Sequence, residues 1–242
     1  MKIKQDDEVL RIVTPPLKIV LNQVIDDYKA SAGGKYVDGI YGYLWSRRLN
    51  AISLAISTIS NLIEIPIDRK IWKTMAVFNK NDGTLYLATS RDNFFVIQKE
   101  IQQGRRSHYM YALTSQNCKK SQQLTLDGLE DPNSSEEYRL EEAKKILGEN
   151  FTNVKVTYII TYDYFIDAAV NGNIFLVDSN FNLIDTVEIP EYKDPTPTND
   201  VKISTDTEIG YQESHSNQIV KWKTDKEKRP MQNRKIINDT SN

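Results

Sequence analysis

The chain has one cysteine, Cys118, and two histidines, His108 and His215, among 242 residues. A single thiol excludes an internal disulfide framework and points to a reducing, cytoplasmic setting. With only two widely separated histidines beside it, a structural zinc site lacks ligands. No apolar run approaches the ~20 residues of a membrane helix, and the stretch after Met1 has no signal-peptide core. The chain is therefore expected to stay inside the cell and off the membrane. Charge of one sign is also missing: charged residues make up 26% and the net charge is -2. Whole-protein attraction to nucleic acid or anionic lipid is thereby removed, and any basic site must be local. There is no Gly-rich phosphate loop, nucleophile elbow, His-x-x-x-His pair, Cys-x-x-Cys or internal repeat. No cofactor and no metal site is assigned.

What is present reads as alternating helical and strand periods. Thr14-Pro15-Pro16 predicts the start of a helix carrying Leu17, Val20, Leu21, Val24 and Tyr28, ended by Gly33-Gly34. From Tyr43 to Ile63, Trp45, Leu49, Ile52, Ile56, Ile59 and Ile63 keep helical spacing, with Arg48 inside the apolar arc and Arg47 outside it. Residues 72–89 predict a hairpin turning at Asp82-Gly83, followed by a helix over 92–103 that Ser90 or Asp92 caps and Gly104 ends. Tyr109–Thr114 fits a strand or a helix equally, and Ser115–Pro132 predicts an exposed loop. A capping box of Ser134 and Glu137 predicts a helix over 134–147, with Glu141 and Lys145 paired on its surface. Residues 153–189 predict a meander: a strand from Val154 to Asp167 with one apolar face, a turn at Asn171-Gly172, a strand Ile174–Val177, a turn at Ser179-Asn180 and a strand Leu183–Ile189. The expected fold is one α+β domain over 1–190, with helices on a mainly antiparallel sheet of about five strands. Residues 191–242, acidic first and basic later, predict a disordered tail.

Four groups carry candidate chemistry. Gly104-Arg105-Arg106-Ser107-His108-Tyr109 concentrates two guanidinium forks, an imidazole and a phenol, with Arg91 and Lys99 nearby in sequence. These are the groups a phosphate site needs, although cations after a helix end also simply complement its dipole. Trp45-Ser46-Arg47-Arg48, with Lys70, Trp72 and Lys73, forms the second group. A cation on the apolar face of a helix needs a carboxylate, carbonyls or an anion, and Asp68, Asp163 or Asp167 could serve as a structural partner. Asp163, Asp167, Asp178 and Asp185 form the third group, with Glu191-Tyr192-Lys193 as a weak nuclease-like echo that Pro190 interrupts; turns and sheet edges account for these acids. The fourth is the basic stretch Lys221–Lys235 around Trp222.

Trp45-Ser46-Arg47-Arg48-Leu49-Asn50-Ala51-Ile52, then Trp72-Lys73, then His108-Tyr109-Met110-Tyr111-Ala112-Leu113 resembles a family of uncharacterised bacterial and phage-associated domains over roughly residues 40–190. The resemblance implies no activity. It implies that Arg48, Trp72 and His108 belong to one constellation, in a phage or mobile-element conflict setting. The leading expectation is a non-catalytic binding or regulatory protein contacting a protein or nucleic acid through Arg47, Arg48, Trp72, Lys73, Arg105, Arg106, His108 and Tyr109. One alternative is a metal-independent ribonuclease, with His108 as acid and base and Arg48, Arg105 and Arg106 around the phosphate. A purely structural or oligomerisation domain is the other.

Overall fold

The structure is a computed structural model that describes residues 2–33, 38–69, 72–118 and 136–192. Among the described residues the order is α1 (Asp7–Leu17), α2 (Leu21–Ser31), α3 (Ile40–Ile56), β1 (Leu62–Arg69), β2 (Trp72–Asn79), β3 (Thr84–Ser90), α4 (Arg91–Gln102), α5 (Tyr109–Leu113), α6 (Glu136–Leu147), a 3-10 turn Gly148–Asn153, β4 (Val156–Tyr164), β5 (Ala169–Val177) and β6 (Leu183–Glu188). The fold is α+β, with helices on both faces of one six-stranded sheet in the order β1-β2-β3-β4-β5-β6. All these elements fall within one compact unit, Met1–Thr196.

The sheet has one strand more than expected, and one of its junctions is parallel. β1-β2-β3 and β4-β5-β6 are two antiparallel meanders, joined by the parallel pair β3–β4 with Tyr86 opposite Tyr158. The additional strand, β1, comes out of what looked like the end of a long helix. α3 stops at Ile56, and Ile59 and Ile63 leave the helical stripe, because Leu62, Ile65 and Ile67 are buried as strand residues instead. Pro66 lies within β1, which is tolerated because β1 is an edge strand that does not need that N–H for a second neighbour.

Helices occupy both sheet faces, so β4 is buried on both rather than one. On one face Phe94, Ile97 and Ile101 of α4, Met110 and Leu113 of α5, and Leu147 of α6 pack on Leu85, Leu87, Ile159 and Phe175. On the other, Val9, Leu10, Val13 and Leu17 of α1 with Ile52 and Ile56 of α3 cover Val77, Tyr86, Tyr158, Ile160 and Leu176. Each such side chain contributes about 1.5–3 kcal/mol by leaving water.

The N-terminal helix lies earlier than the prolines suggest. Asp6 caps α1 by accepting from the Glu8 and Val9 N–H groups, and Pro15-Pro16 form its last turn. A proline in a last turn lacks the N–H that would bond the carbonyl four residues earlier and crowds that carbonyl, so the cost here falls on the Arg11 and Ile12 carbonyls of the turn before. The helix ends directly after them in tight turns, with Lys18 and Ile19 donating back to the carbonyls of Pro15 and Pro16. Val20 then precedes α2.

Two further expectations are corrected. Asn171-Gly172 lies inside β5 rather than at a turn; the chain reverses at Phe165–Ala168, where the Phe165 N–H donates to the Ala168 carbonyl at 2.7 Å. Ser115 and Asn117 are buried, not part of an exposed loop. The Asn117 amide donates to the carbonyls of Thr157 (3.0 Å) and Val177 (2.8 Å) and accepts from the Thr157 N–H (2.8 Å). It extends the β4–β5 ladder where direct pairing ends at Tyr158 and Leu176.

The hairpin and the Ser90 cap of α4 stand where the sequence puts them, the closing meander is present with its first turn moved to Phe165–Ala168, and Tyr109–Leu113 resolves as a helix. Lys145 meets Glu142, one residue from the partner expected. Tyr192 packs back onto α1, donating to Asp7 at 3.1 Å with the Arg11 guanidinium over its ring. Residues 119–135, with Ser134, and the tail from 193 onward lie outside the described residues, as does Lys70.

Candidate functional site

A cleft of about 840 Å³ opens at one end of the sheet. The parallel pair fixes its place. β3 ends at Ser90 and β4 at Tyr164, and the crevice beyond the carboxyl ends of parallel strands is where such sheets leave room for a ligand. β2 runs the other way from β3, so its first residues, Trp72, Lys73 and Thr74, arrive at the same end. So does the last residue of β1, Arg69, which pairs with Trp72.

The α3 wall is built on Arg48, which is only 4% exposed. Its Nε and Nη2 donate to the Ile19 carbonyl at 2.9 and 2.7 Å, and its guanidinium lies 3.7 Å from the centre of the Tyr164 ring. The hydrogen-bond partner is thus a loop carbonyl between α1 and α2, where none of the three aspartates named from the sequence had been needed. Ile19 follows the end of α1, where carbonyls have no following turn to bond them, and a guanidinium reaching across from α3 supplies the donors. Burial lowers the Arg48 pKa, opposed by Tyr164. Trp45, Leu44 and Tyr41 extend this wall, with Tyr41 72% exposed at the rim.

The β1–β2 wall carries the polar chemistry. His108 caps α5, its Nδ1 accepting from the Met110 N–H at 3.2 Å, and its Nε2 lies 3.1 Å from Arg69 Nη1. The Tyr109 ring stacks near both, 4.6 Å from the imidazole centre and 4.9 Å from the Arg69 guanidinium carbon. Burial pushes the Tyr109 phenol up to about 12, while Arg69 and a hydrogen bond with Thr74 pull the other way. Burial, and then Arg69, pulls His108 down to about 4. Between the walls lie Thr89, Ser90 and Asn93, already bonded to one another through the α4 cap, and Asp163, which holds Arg91 and Asn171. The Tyr164 hydroxyl is buried without a hydrogen-bond partner among the described residues.

The His108 environment has a consequence in acid. The unfolded chain protonates a histidine near 6.5, whereas folded His108 stays neutral until about pH 4. Between those values the unfolded state binds more protons, so stability falls as the pH drops through that window, by at most about 3 kcal/mol from this group. Thermal unfolding of the wild type from pH 7 to 4, compared with His108→Asn, should show a steeper fall in the wild type. Parallel curves would remove His108 as the responsible group.

The structure brings Arg48, Trp72, Lys73, His108 and Tyr109 to one cleft, and leaves Arg47, Arg105 and Arg106 off its lining. Arg47 is on the exposed side of α3. Arg105 is 71% exposed and pairs with Glu100 at 3.4 Å, and Arg106 lies over Tyr111 at 6.0 Å. Of Asp163, Asp167, Asp178 and Asp185, only Asp163 reaches the cleft; Asp178 binds its own turn through the Asn180 and Asn182 N–H groups, and Asp185 accepts from Ile3. No group of three or more His, Cys, Asp or Glu that could hold a metal occurs among the described residues. Two cations escaped the sequence. Arg69 becomes legible only once β1 is paired with β2. Arg139 is 3% exposed on α6, its Nε bonded to the Tyr111 carbonyl at 2.7 Å, and its spacing with Ala143 and Leu147 on one face was the available signal.

No helix among the described residues is long and apolar enough to cross a membrane. No curated protein and no solved structure matches the chain. A family described as "Family of unknown function (DUF5986)" matches residues 6–239, and the chain belongs to it. The match is wider than the 40–190 core of the resemblance, and it carries no association with bacteria or phage.

Proposed function

From membership in a family without an assigned activity, we propose a non-catalytic cytoplasmic binding protein whose cleft takes one or two nucleotides of a single-stranded nucleic acid. The observation that carries this is the meeting of Arg69, Trp72, His108 and Tyr109 on one wall of the cleft, with Lys73 lining it from the other sheet face. An exposed indole, 62% accessible, stands beside cations, which is how proteins hold unpaired bases and their backbone. The volume suits a ligand of nucleotide size. The charge balance argues against a longer track through the cleft, since Asp92 and Asp163 also line it and the Arg48 donors are taken by Ile19. Arg47, Arg105 and Arg106 enter this reading as outer contacts. A regulatory role in a phage or mobile-element conflict is its proposed setting.

Titration with a short oligothymidylate should quench tryptophan fluorescence. Trp72→Ala and Lys73→Ala should each weaken binding about tenfold, a stacking or phosphate contact's worth, and more than Arg47→Ala or Arg105→Ala do. Equal effects of all four would place binding outside the cleft. Absence of binding would favour a protein partner, for which Tyr41, Phe165 and Ile166, all more than half exposed at the rim, are the supporting feature. Ribonuclease chemistry draws less support, because Arg105 is paired in solvent and the low pKa makes His108 a weak base.

A further inference from the structure

The contact between His108 and Arg69 contains a conflict of donors. A neutral imidazole has one N–H and one acceptor nitrogen. Nδ1 is already the acceptor for the Met110 N–H, a backbone group fixed at the start of α5. The ring proton must then be on Nε2, and the 3.1 Å contact sets that N–H against a guanidinium N–H. The reverse assignment satisfies Arg69 but turns Nδ1–H against the helix. Arg69 is on a long side chain with further donors, so the cap decides the tautomer. No carboxylate among the described residues pairs with Arg69. Two donors side by side on a cleft wall, with no acceptor between them, are completed by an oxyanion that accepts from both. Lys73, next to Trp72 on β2, lines the cleft from the opposite sheet face, the one α3 covers, and adds positive charge to the cleft without being a donor at this contact.

We infer that Arg69 and His108 form the seat of one phosphate group, with His108 as the Nε2–H tautomer donating to it. This rests on the nucleotide reading above and deepens it. Trp72, paired with Arg69 across β1 and β2, and Tyr109, beneath the Arg69 guanidinium, flank the seat, so a base attached to that phosphate meets an aromatic face on either side.

His108→Asn separates the two duties of the imidazole, because asparagine keeps a capping oxygen for α5 but cannot reach the seat. Arg69→Gln removes the neighbouring charge. Both variants are expected to bind oligothymidylate about tenfold more weakly or worse, while His108→Asn at pH 7 keeps the wild-type Tm. In histidine-labelled protein, nitrogen NMR is expected to find the His108 proton on Nε2, and inorganic phosphate is expected to shift that nitrogen only when Arg69 is present. A proton on Nδ1 would overturn the seat. So would oligothymidylate binding that ignores both variants, and in that case the nucleotide reading survives. If oligothymidylate fails to bind but phosphate still shifts Nε2 through Arg69, the seat stands and the nucleotide reading falls.

Discussion

Asn117→Ala should lower the stability by about 3 kcal/mol or more, because one side chain satisfies three backbone groups in a fully buried part of the sheet. Asn117 is 3% exposed, and Thr157, with which it exchanges two bonds, is fully buried. Truncation leaves the Thr157 N–H and the carbonyls of Thr157 and Val177 without this partner, each costing about 1–3 kcal/mol. The measurement is urea unfolding: the midpoint should fall while the slope stays constant, the mark of lost stability rather than a changed unfolded state. A loss under about 1 kcal/mol would mean that the ladder closes on its own when the amide is removed.

Gly83→Ala should cost about 3 kcal/mol or more, for two reasons that a second variant separates. Gly83 has φ +82°, and a Cβ there would stand 2.6 Å from the Asn153 carbonyl oxygen and 3.0 Å from Lys155 Cγ. The carbonyl is main chain and cannot rotate away, and the Gly83 carbonyl itself accepts from the Lys155 N–H at 2.8 Å. Gly33 has a similar φ of +78° and nothing within 4 Å of its Cβ position. Gly33→Ala therefore carries only the backbone cost, about 1–2 kcal/mol. The difference between the two variants in chemical denaturation measures the collision alone. Equal losses would show that the hairpin tip shifts away from Asn153.

Local periodicity made much of the fold legible. The Asp82-Gly83 turn, the Ser90 cap and the strand signals after Val154 each depend on neighbours in sequence, and each is found in the structure. β1 was missed although Ile63, Ile65 and Ile67 alternate with Glu64, Pro66 and Asp68 as a strand's residues do, because the isoleucines before it continue a helical stripe into Ile63. α1 was hidden by reading Pro15-Pro16 as a beginning, when its capping aspartate lies nine residues before Pro15. The site was legible as chemistry but not as assembly. Arg48 stood out because helical spacing put a cation on an apolar face, and His108 and Trp72 because few residue types do what they do. That His108 faces Arg69, 39 positions away, while its neighbour Arg105 faces Glu100, is decided by sheet topology. Residue identity carries no record of it.

The parallel junction also governs how the chain reaches this fold. Each half of the sheet is a meander of sequence neighbours, whereas Tyr86 and Tyr158, opposed across the junction, are about seventy positions apart. Loop-closure entropy therefore weighs more on this junction than on the pairings within either meander, and contact order predicts it to be the slower one to form. Gly83 and Asn117 both bond to the first residues of the incoming half, Lys155 and Thr157. Both bonds fasten the junction, and because the cleft lies at the end of that junction, the cleft exists only when the two halves have met.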